Sequence, residues 1–136
     1  MPVVQDEARF LGHTCTTNRG GVYRSWPVLD LWELAKDLHT FELPPEQLPE
    51  FDFYIDSEPR FFWWSRARGT KEQFTMRDLA DHIRRVNDAD LSFPILLNPE
   101  GGVMDGLHRM MKAHILGVCV RVQQFEEWPP EGAKPQ

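Results

Sequence analysis

The sequence has no excess of basic residues, no long apolar run and almost no cysteine, and each shortage removes a class of function. Lys and Arg number 15 against 21 Asp and Glu, for a formal charge of −6 and a pI of about 5.3. A domain that binds duplex DNA by itself carries a basic footprint that displaces counterions, so DNA binding by this chain alone is not expected. A local basic patch stays open. No stretch approaches the about 18 consecutive apolar residues that span a bilayer. The N-terminal MPVVQDEARFLGH lacks a basic region followed by an apolar one, so it does not read as a signal peptide. The cytoplasm is the expected compartment.

Cys15 and Cys119 stand far apart, without CxxC or metal-ligand spacing; they fit reduced thiols, and the sequence leaves a bridge between them open. His13, His39 and His82 share no ligand spacing. No P-loop, GxSxG elbow or paired zinc motif is present. No metal centre is therefore expected. There are no internal repeats and no low-complexity block.

What remains has the length and composition of one domain: 136 residues, 41% hydrophobic and 26% charged. Residues 1–24 are polar, contain Asn18-Arg19-Gly20-Gly21 and show little periodicity; they are expected to form a loosely packed arm. Residues 129–136, PPEGAKPQ, have the composition of a flexible tail. The domain is expected between them, over residues 25–128.

Asp30 followed by Glu33, with Leu31, Leu34, Ala35 and Leu38 on one stripe, predicts a helix over 30–38. A short strand is expected over 40–43, stopped by Pro44-Pro45. Phe51-Asp52-Phe53-Tyr54-Ile55 alternates weakly and reads as a strand or an extended loop. Phe61-Phe62-Trp63-Trp64 is too short to classify. Together with Trp26 and Trp32 these aromatics fit core packing or the wall of a substrate pocket, with core favoured.

A capped helix is expected over 75–87. Thr75 and Asp78 form its capping box, Phe74 and Leu79 a staple, and Met76, Leu79, Ala80, Ile83 and Val86 its buried stripe. Arg77, Asp81, Arg84 and Arg85 fall on the solvated face. A buried strand over 93–97, a turn over 98–102 and a short strand at Val103-Met104 follow. The next helix is expected from Gly106 to about Leu116, capped by Asp105 and ended by Gly117. Its apolar arc is Leu107, Met110, Met111 and Ile115; His114 sits near the edge of that arc and reads as packed. Alternating Val118, Val120 and Val122 complete a half-buried strand. The class is α+β: a small mixed sheet packed with helices.

The chemistry concentrates at Asp105-Gly106-Leu107-His108-Arg109. The first turn of a helix carries unpaired backbone N–H groups and the positive end of the dipole, a natural place for an anion. Gly106 allows close approach to the backbone. His108 and Arg109 add donors, Arg109 as a planar fork matched to phosphate oxygens, and Lys112 adds a second cation one turn on. An ordinary amphipathic helix with solvated basic residues fits the same spacing, and Asp105 fits an N-cap as well as a catalyst.

The run PILLNPEGGVMDGLHRMMKAHILG resembles the core of the ParB/sulfiredoxin superfamily, as a stand-alone domain similar to the N-terminal domain of ParB proteins with a DGxHR motif. Residues 41–48, FELPPEQL, resemble that family's first strand and turn, and the likeness covers roughly residues 40–125. The resemblance implies the superfamily's fold and a nucleotide phosphate held by Gly106, His108 and Arg109. Leu107 departs from it: sulfiredoxins carry their reactive cysteine there, and partition-type proteins a metal-associated glutamate. Sulfinic-acid reduction is thereby excluded. The chain also leaves no room for the DNA-binding and dimerisation domains of a complete partition protein, and is not expected to be one.

A branch of the superfamily transfers phosphate to free serine, which implies a phosphotransferase using a nucleoside di- or triphosphate with Mg2+ and a small-molecule acceptor. Asp105 is then the candidate magnesium ligand or base, and Glu42 the second carboxylate. The alternative is a non-catalytic module that binds a nucleotide or a partner protein. A third reading is a nucleic-acid-associated protein of partition or nuclease type. Whether the chain is an enzyme is left open by the sequence.

Overall fold

The structure, a computed structural model, describes residues 14–19, 21–56 and 75–130. Residues 1–13 of the expected arm, the Phe61–Trp64 block, the staple residue Phe74 and tail residues 131–136 lie outside the described residues.

The fold is a small mixed α+β architecture with two sheets and four α-helices among the described residues. β1 (Thr14–Arg19) and β2 (Val22–Pro27) pair antiparallel across a turn at Gly21, where φ is +88°. Much of this hairpin falls in the segment expected to be a loose arm. Cys15 and Trp26 face each other in its register and are both buried, so the hairpin is anchored by a sparse inward set that a periodicity count over so polar a stretch passes by.

α1 spans Val28–Ala35. Its start lies a half-turn or more before the expected one, because Pro27, with φ −61°, delivers the chain into the helix and no side chain caps it. Asp30 lies in the first turn, where a carboxylate meets the positive end of the dipole, instead of serving as the cap. Val28, Leu31, Trp32 and Ala35 form the buried stripe at helical spacing. Leu34, expected on that stripe, is exposed.

β3 (Phe41–Leu43) runs into a 3-10 turn at Pro45–Gln47, and then α2 (Phe51–Ile55), a single helical turn where a strand or extended loop was expected. Phe51 is buried, Tyr54 and Ile55 are half-buried, and Phe53 is exposed. Spacing of i, i+3, i+4 therefore won over the weak alternation.

α3 (Met76–Asp88) has the expected capping box: the Asp78 N–H donates to the Thr75 hydroxyl at 3.2 Å, and the Thr75 N–H to the Asp78 carboxylate at 3.2 Å. Its buried face is rotated from the expected stripe. His82 and Val86 are buried, whereas Met76 and Ile83 are 74% and 51% exposed. The histidine substitutes for an apolar residue on the inner face, which a count of hydrophobic positions does not register.

β4 (Ile95–Leu97), β5 (Val103–Asp105), α4 (Leu107–Leu116) and β6 (Val120–Gln124) complete the chain. The sheet order is β3-β6-β4-β5, with β6 parallel to β4 and the other pairs antiparallel. One face packs Leu96 and Met104 against the hairpin and α1 through Trp26, Leu31, Trp32 and Phe125. The other packs Ile95, Leu97, Val120 and Val122 against Met110, Ala113, Leu48 and Phe51. Trp26 and Trp32 thus take the core role favoured for them. No helix among the described residues is long and apolar enough to cross a membrane.

The rotation of α3 separates two substitutions. Val86→Ala is expected to cost about 2 kcal/mol through lost apolar burial. Ile83→Ala, on the exposed face, is expected to stay within about 0.5 kcal/mol. Urea denaturation of the two variants checks the assignment, and the opposite order would restore the original stripe.

Candidate functional site

β5 delivers the chain into α4 through an irregular register. Leu96 pairs with Asp105 and Leu97 with Val103, so Met104 is an extra residue opposite β4. A bulge of this kind turns successive side chains toward one face. It sends the Asp105 carboxylate toward α1 and the hairpin, where Trp32 and Cys15 lie.

Gly106 follows with φ +121°, a conformation that side-chain-bearing residues rarely adopt. A Cβ there would stand 2.9 Å from the Ile95 side chain and 3.0 Å from an Arg109 guanidinium nitrogen. The glycine is thus required by the packing of α4 on β4, whatever else approaches it. As the residue preceding the helix it offers no side-chain acceptor, so α4 starts without a side-chain cap. Asp105 was the expected cap; it is one residue too early and its carboxylate is engaged elsewhere.

That engagement defines the site. Arg109 Nη2 donates to Asp105 Oδ2 at 2.7 Å and to the Pro94 carbonyl at 3.4 Å. The guanidinium lies 5.7 Å from the centre of the Trp32 ring. The two side chains are only 9% and 14% exposed. Arg109, expected as the phosphate fork, is instead an interior residue joining the end of β5, the residue before β4 and α1. The Asp105 carboxylate is correspondingly held as its counter-charge.

Lys112 is also used internally. Its ammonium donates to the Asn87 and Ala89 carbonyls, each at 2.7 Å, which satisfies the C-terminal carbonyls of α3 and places a cation at the negative end of that helix. Glu42 is exposed on β3, opposite Arg121. β3 and β5 are the two edges of the four-stranded sheet, and three strand spacings separate them by about 14 Å. The fold does not bring Glu42 and Asp105 into one pocket.

His108 does stand where expected, in the first turn of α4 and partly exposed. Beside it is a residue that the sequence reading weighed only as a metal ligand. The His82 ring on α3 lies 5.3 Å from the His108 ring. Burial, and secondarily the Arg85 cation, pushes His82 below its ordinary value of 6.5. Spacing of i, i+3, i+4 within one helix cannot find such a pair, because its members belong to α3 and α4.

Two further groups frame the site. Burial, reinforced by Asp105, pushes the Cys15 thiol up to about 12, so this cysteine is a packed, unreactive thiol. Both cysteines are free. His114, expected to pack, is exposed; its Nδ1 is 2.7 Å from Glu46 Oε2, and its ring meets the edge of Phe51. Hydrogen bonding to His114 holds Glu46 below the usual carboxylate range, with its own backbone N–H contributing. No group of three or more potential metal ligands occurs among the described residues.

Removing one member of the Asp105–Arg109 pair strands the other in the interior. Asp105→Asn is expected to lower stability by about 3–5 kcal/mol, and Asp105→Asn combined with Arg109→Met to recover part of that loss. A double-mutant cycle in urea measures the coupling; additive losses would mean that the ion pair carries none of it.

His82 predicts an acid limb. Its folded-state value lies below its unfolded value, so the unfolded chain takes up the proton first. Stability is therefore unaffected by this group well above 6.5 and declines as pH falls through that value. The urea midpoint of the native chain is expected to drop between neutral pH and the onset of carboxylate titration. His82→Gln should flatten that decline, and an unchanged slope would assign it elsewhere.

Comparison with protein-family models, with curated proteins and with solved structures returned no match for this chain.

Proposed function

We propose that this chain is a nucleotide- or phosphate-binding module of ParB/sulfiredoxin-like design, with the start of α4 as its anion site and no phosphotransfer chemistry of its own. The observation that carries the reading is the glycine-led entry into α4. Gly106 supplies no capping side chain, and no acidic residue occupies the first turn, so the backbone N–H groups at the helix start face no capping carboxylate. His108 stands in that turn, and in this reading its imidazole supplies a side-chain donor. The DGLHR sequence resembles the superfamily's phosphate motif at the same place.

The choice of a binding module over a phosphotransferase follows from the two carboxylates. A magnesium ligand or base has to reach the bound phosphate. Asp105 is held by Arg109 at 2.7 Å, and Glu42 lies on the far edge of the sheet. In this reading Arg109 and Lys112 position the helix, and contact with the anion falls to the backbone and to His108. A nucleoside di- or triphosphate with Mg2+ remains the proposed ligand class, the magnesium bound through the phosphates and not through a protein cage.

The test is titration of isotope-labelled protein with ATP, ADP, CTP and GTP in the presence of magnesium, followed through the amide signals of Leu107 and His108. Saturable shifts confined to the start of α4 are expected, with affinity reduced about tenfold in His108→Ala, the scale of one lost charge-assisted hydrogen bond. His108→Ala suits this purpose better than Arg109→Ala, whose loss would disturb the interior. The reading would be falsified if the folded protein showed no shift with any nucleotide or with inorganic phosphate. Steady hydrolysis or transfer of the terminal phosphate would return the phosphotransferase reading to first place.

A further inference from the structure

α3 turns His82 and Val86 toward the rest of the protein, and its outward side carries a row of apolar residues. Met76 is 74% and Ile83 51% exposed, and Ala80 between them is exposed as well. At 3.6 residues per turn these positions, spaced i, i+4 and i+7, fall within about 60° of one another and extend over about 10 Å of the helix. Single exposed apolar residues are ordinary on any protein surface. A straight row of them on one helix is the pattern by which helices anchor a partner.

Beside the row run Arg77 and Arg84, each one residue on from Met76 and Ile83. The helix holds three aspartates against three arginines, but their side chains are placed differently. The Asp78 carboxylate accepts the Thr75 N–H in the capping box at 3.2 Å. Asp81 accepts from Arg84 at 2.6 Å, yet the aspartate side chain is 20% exposed and the arginine 70%, so the guanidinium is what faces outward. Asp88 ends the helix, a turn past Arg84. Arg77 is exposed and makes no ion pair among the described residues. Arg85 stands on another side, where its charge acts on His82. The short carboxylates are thus engaged within the helix or lie at its end, and two long cations are presented beside the apolar row. The positive end of the helix dipole adds to them at Met76 and Arg77.

These features choose among partners. A polynucleotide backbone would meet the arginines and leave Met76 and Ile83 unused. An extended anionic surface, whether polynucleotide or bilayer, also senses the whole chain, whose formal charge is −6. A single helix is only about 10 Å across, and charges act on it over a Debye length of about 8 Å. Within that reach the exposed charges beside the row are Arg77 and Arg84.

We infer that the outward face of α3 docks an amphipathic helix of a partner protein. Its apolar stripe sits on Met76, Ala80 and Ile83, and acidic residues along one border of the stripe meet Arg77 and Arg84. The face uses none of the residues at the start of α4, so it stands or falls apart from the phosphate reading.

The experiment is a titration of the full, isotope-labelled chain with a capped peptide of about four helical turns, its leucines spaced i, i+4, i+7 and its flanks glutamate. Two controls accompany it: the same peptide with lysine flanks, and the glutamate peptide in scrambled order. Saturable shifts of the Met76 to Arg84 amides are expected with the glutamate peptide alone, weakening as salt is raised. Ile83→Asp is expected to lower affinity about tenfold or more, as on loss of an anchor. Arg77→Ala combined with Arg84→Ala should weaken binding and flatten its salt dependence. The substituted residues are all exposed, so circular dichroism and the urea midpoint are expected to stay near those of the native chain. If the double variant is not folded, Arg77→Ala alone carries the comparison, with the same direction. No saturable shift at millimolar concentration, an equal response to either control peptide, or unchanged affinity in the folded variants overturns the proposal. Displacement of the peptide by a single-stranded RNA oligonucleotide or by phosphatidylserine vesicles assigns the face to that partner and overturns it too. So does self-association of the chain that Ile83→Asp abolishes, which makes the occupant a second copy.

Discussion

The ion pair between Asp105 and Arg109 joins more of this molecule than any other polar contact described. Through one guanidinium, the last residue of β5, the carbonyl preceding β4 and the Trp32 ring on α1 are held to the first turn of α4. Two buried charges cost several kcal/mol each to desolvate, and their mutual attraction offsets this only when the geometry is close and the remaining donors are used. Gly106 belongs to the same arrangement, because a side chain there would collide with both Ile95 and Arg109. Asp105, Gly106 and Arg109 therefore make sense as one unit before any ligand is considered.

That unit explains where sequence reasoning succeeded and where it did not. Elements carried by local signals were legible. The Thr75 and Asp78 capping box, the stop at Gly117 with φ +71°, and the strand–turn–strand over β4 and β5 all depend on residues within a few positions of one another. The half-buried strand at β6 was legible in part for the same reason: Val120 and Val122 are buried as alternation demands, whereas Val118 lies before the strand and is exposed, and Gln123 departs from the alternation. Gln123 is enclosed through a bond from its amide to the Leu38 carbonyl, a partner 85 residues away. Nothing local announces such a partner.

The candidate residues show the same division more sharply. Basic residues near a helix start read as anion donors, since their solvent exposure is assumed. Arg109 and Lys112 find acceptors inside the protein instead, at Asp105 and at the end of α3. Glu42 and Asp105 were paired by resemblance, while strand order, a global property, sets them at opposite edges. His82 on the inner face of α3 and the β1–β2 hairpin were missed for a related reason: each buries only a few residues in a polar stretch, and their partners come from distant elements.

The edges of the described four-stranded sheet carry one more consequence. β3 and β5 are each three residues long, so either edge offers a ladder of only about 10 Å. The β5 edge is further broken by its extra residue at Met104. A foreign strand docking there would gain few backbone hydrogen bonds before running into the 3-10 turn or the start of α4. Short edge strands and bulges are among the means by which sheets avoid pairing with their neighbours. The bulge beside Asp105 thereby also shortens the regular backbone ladder along the β5 side of this sheet.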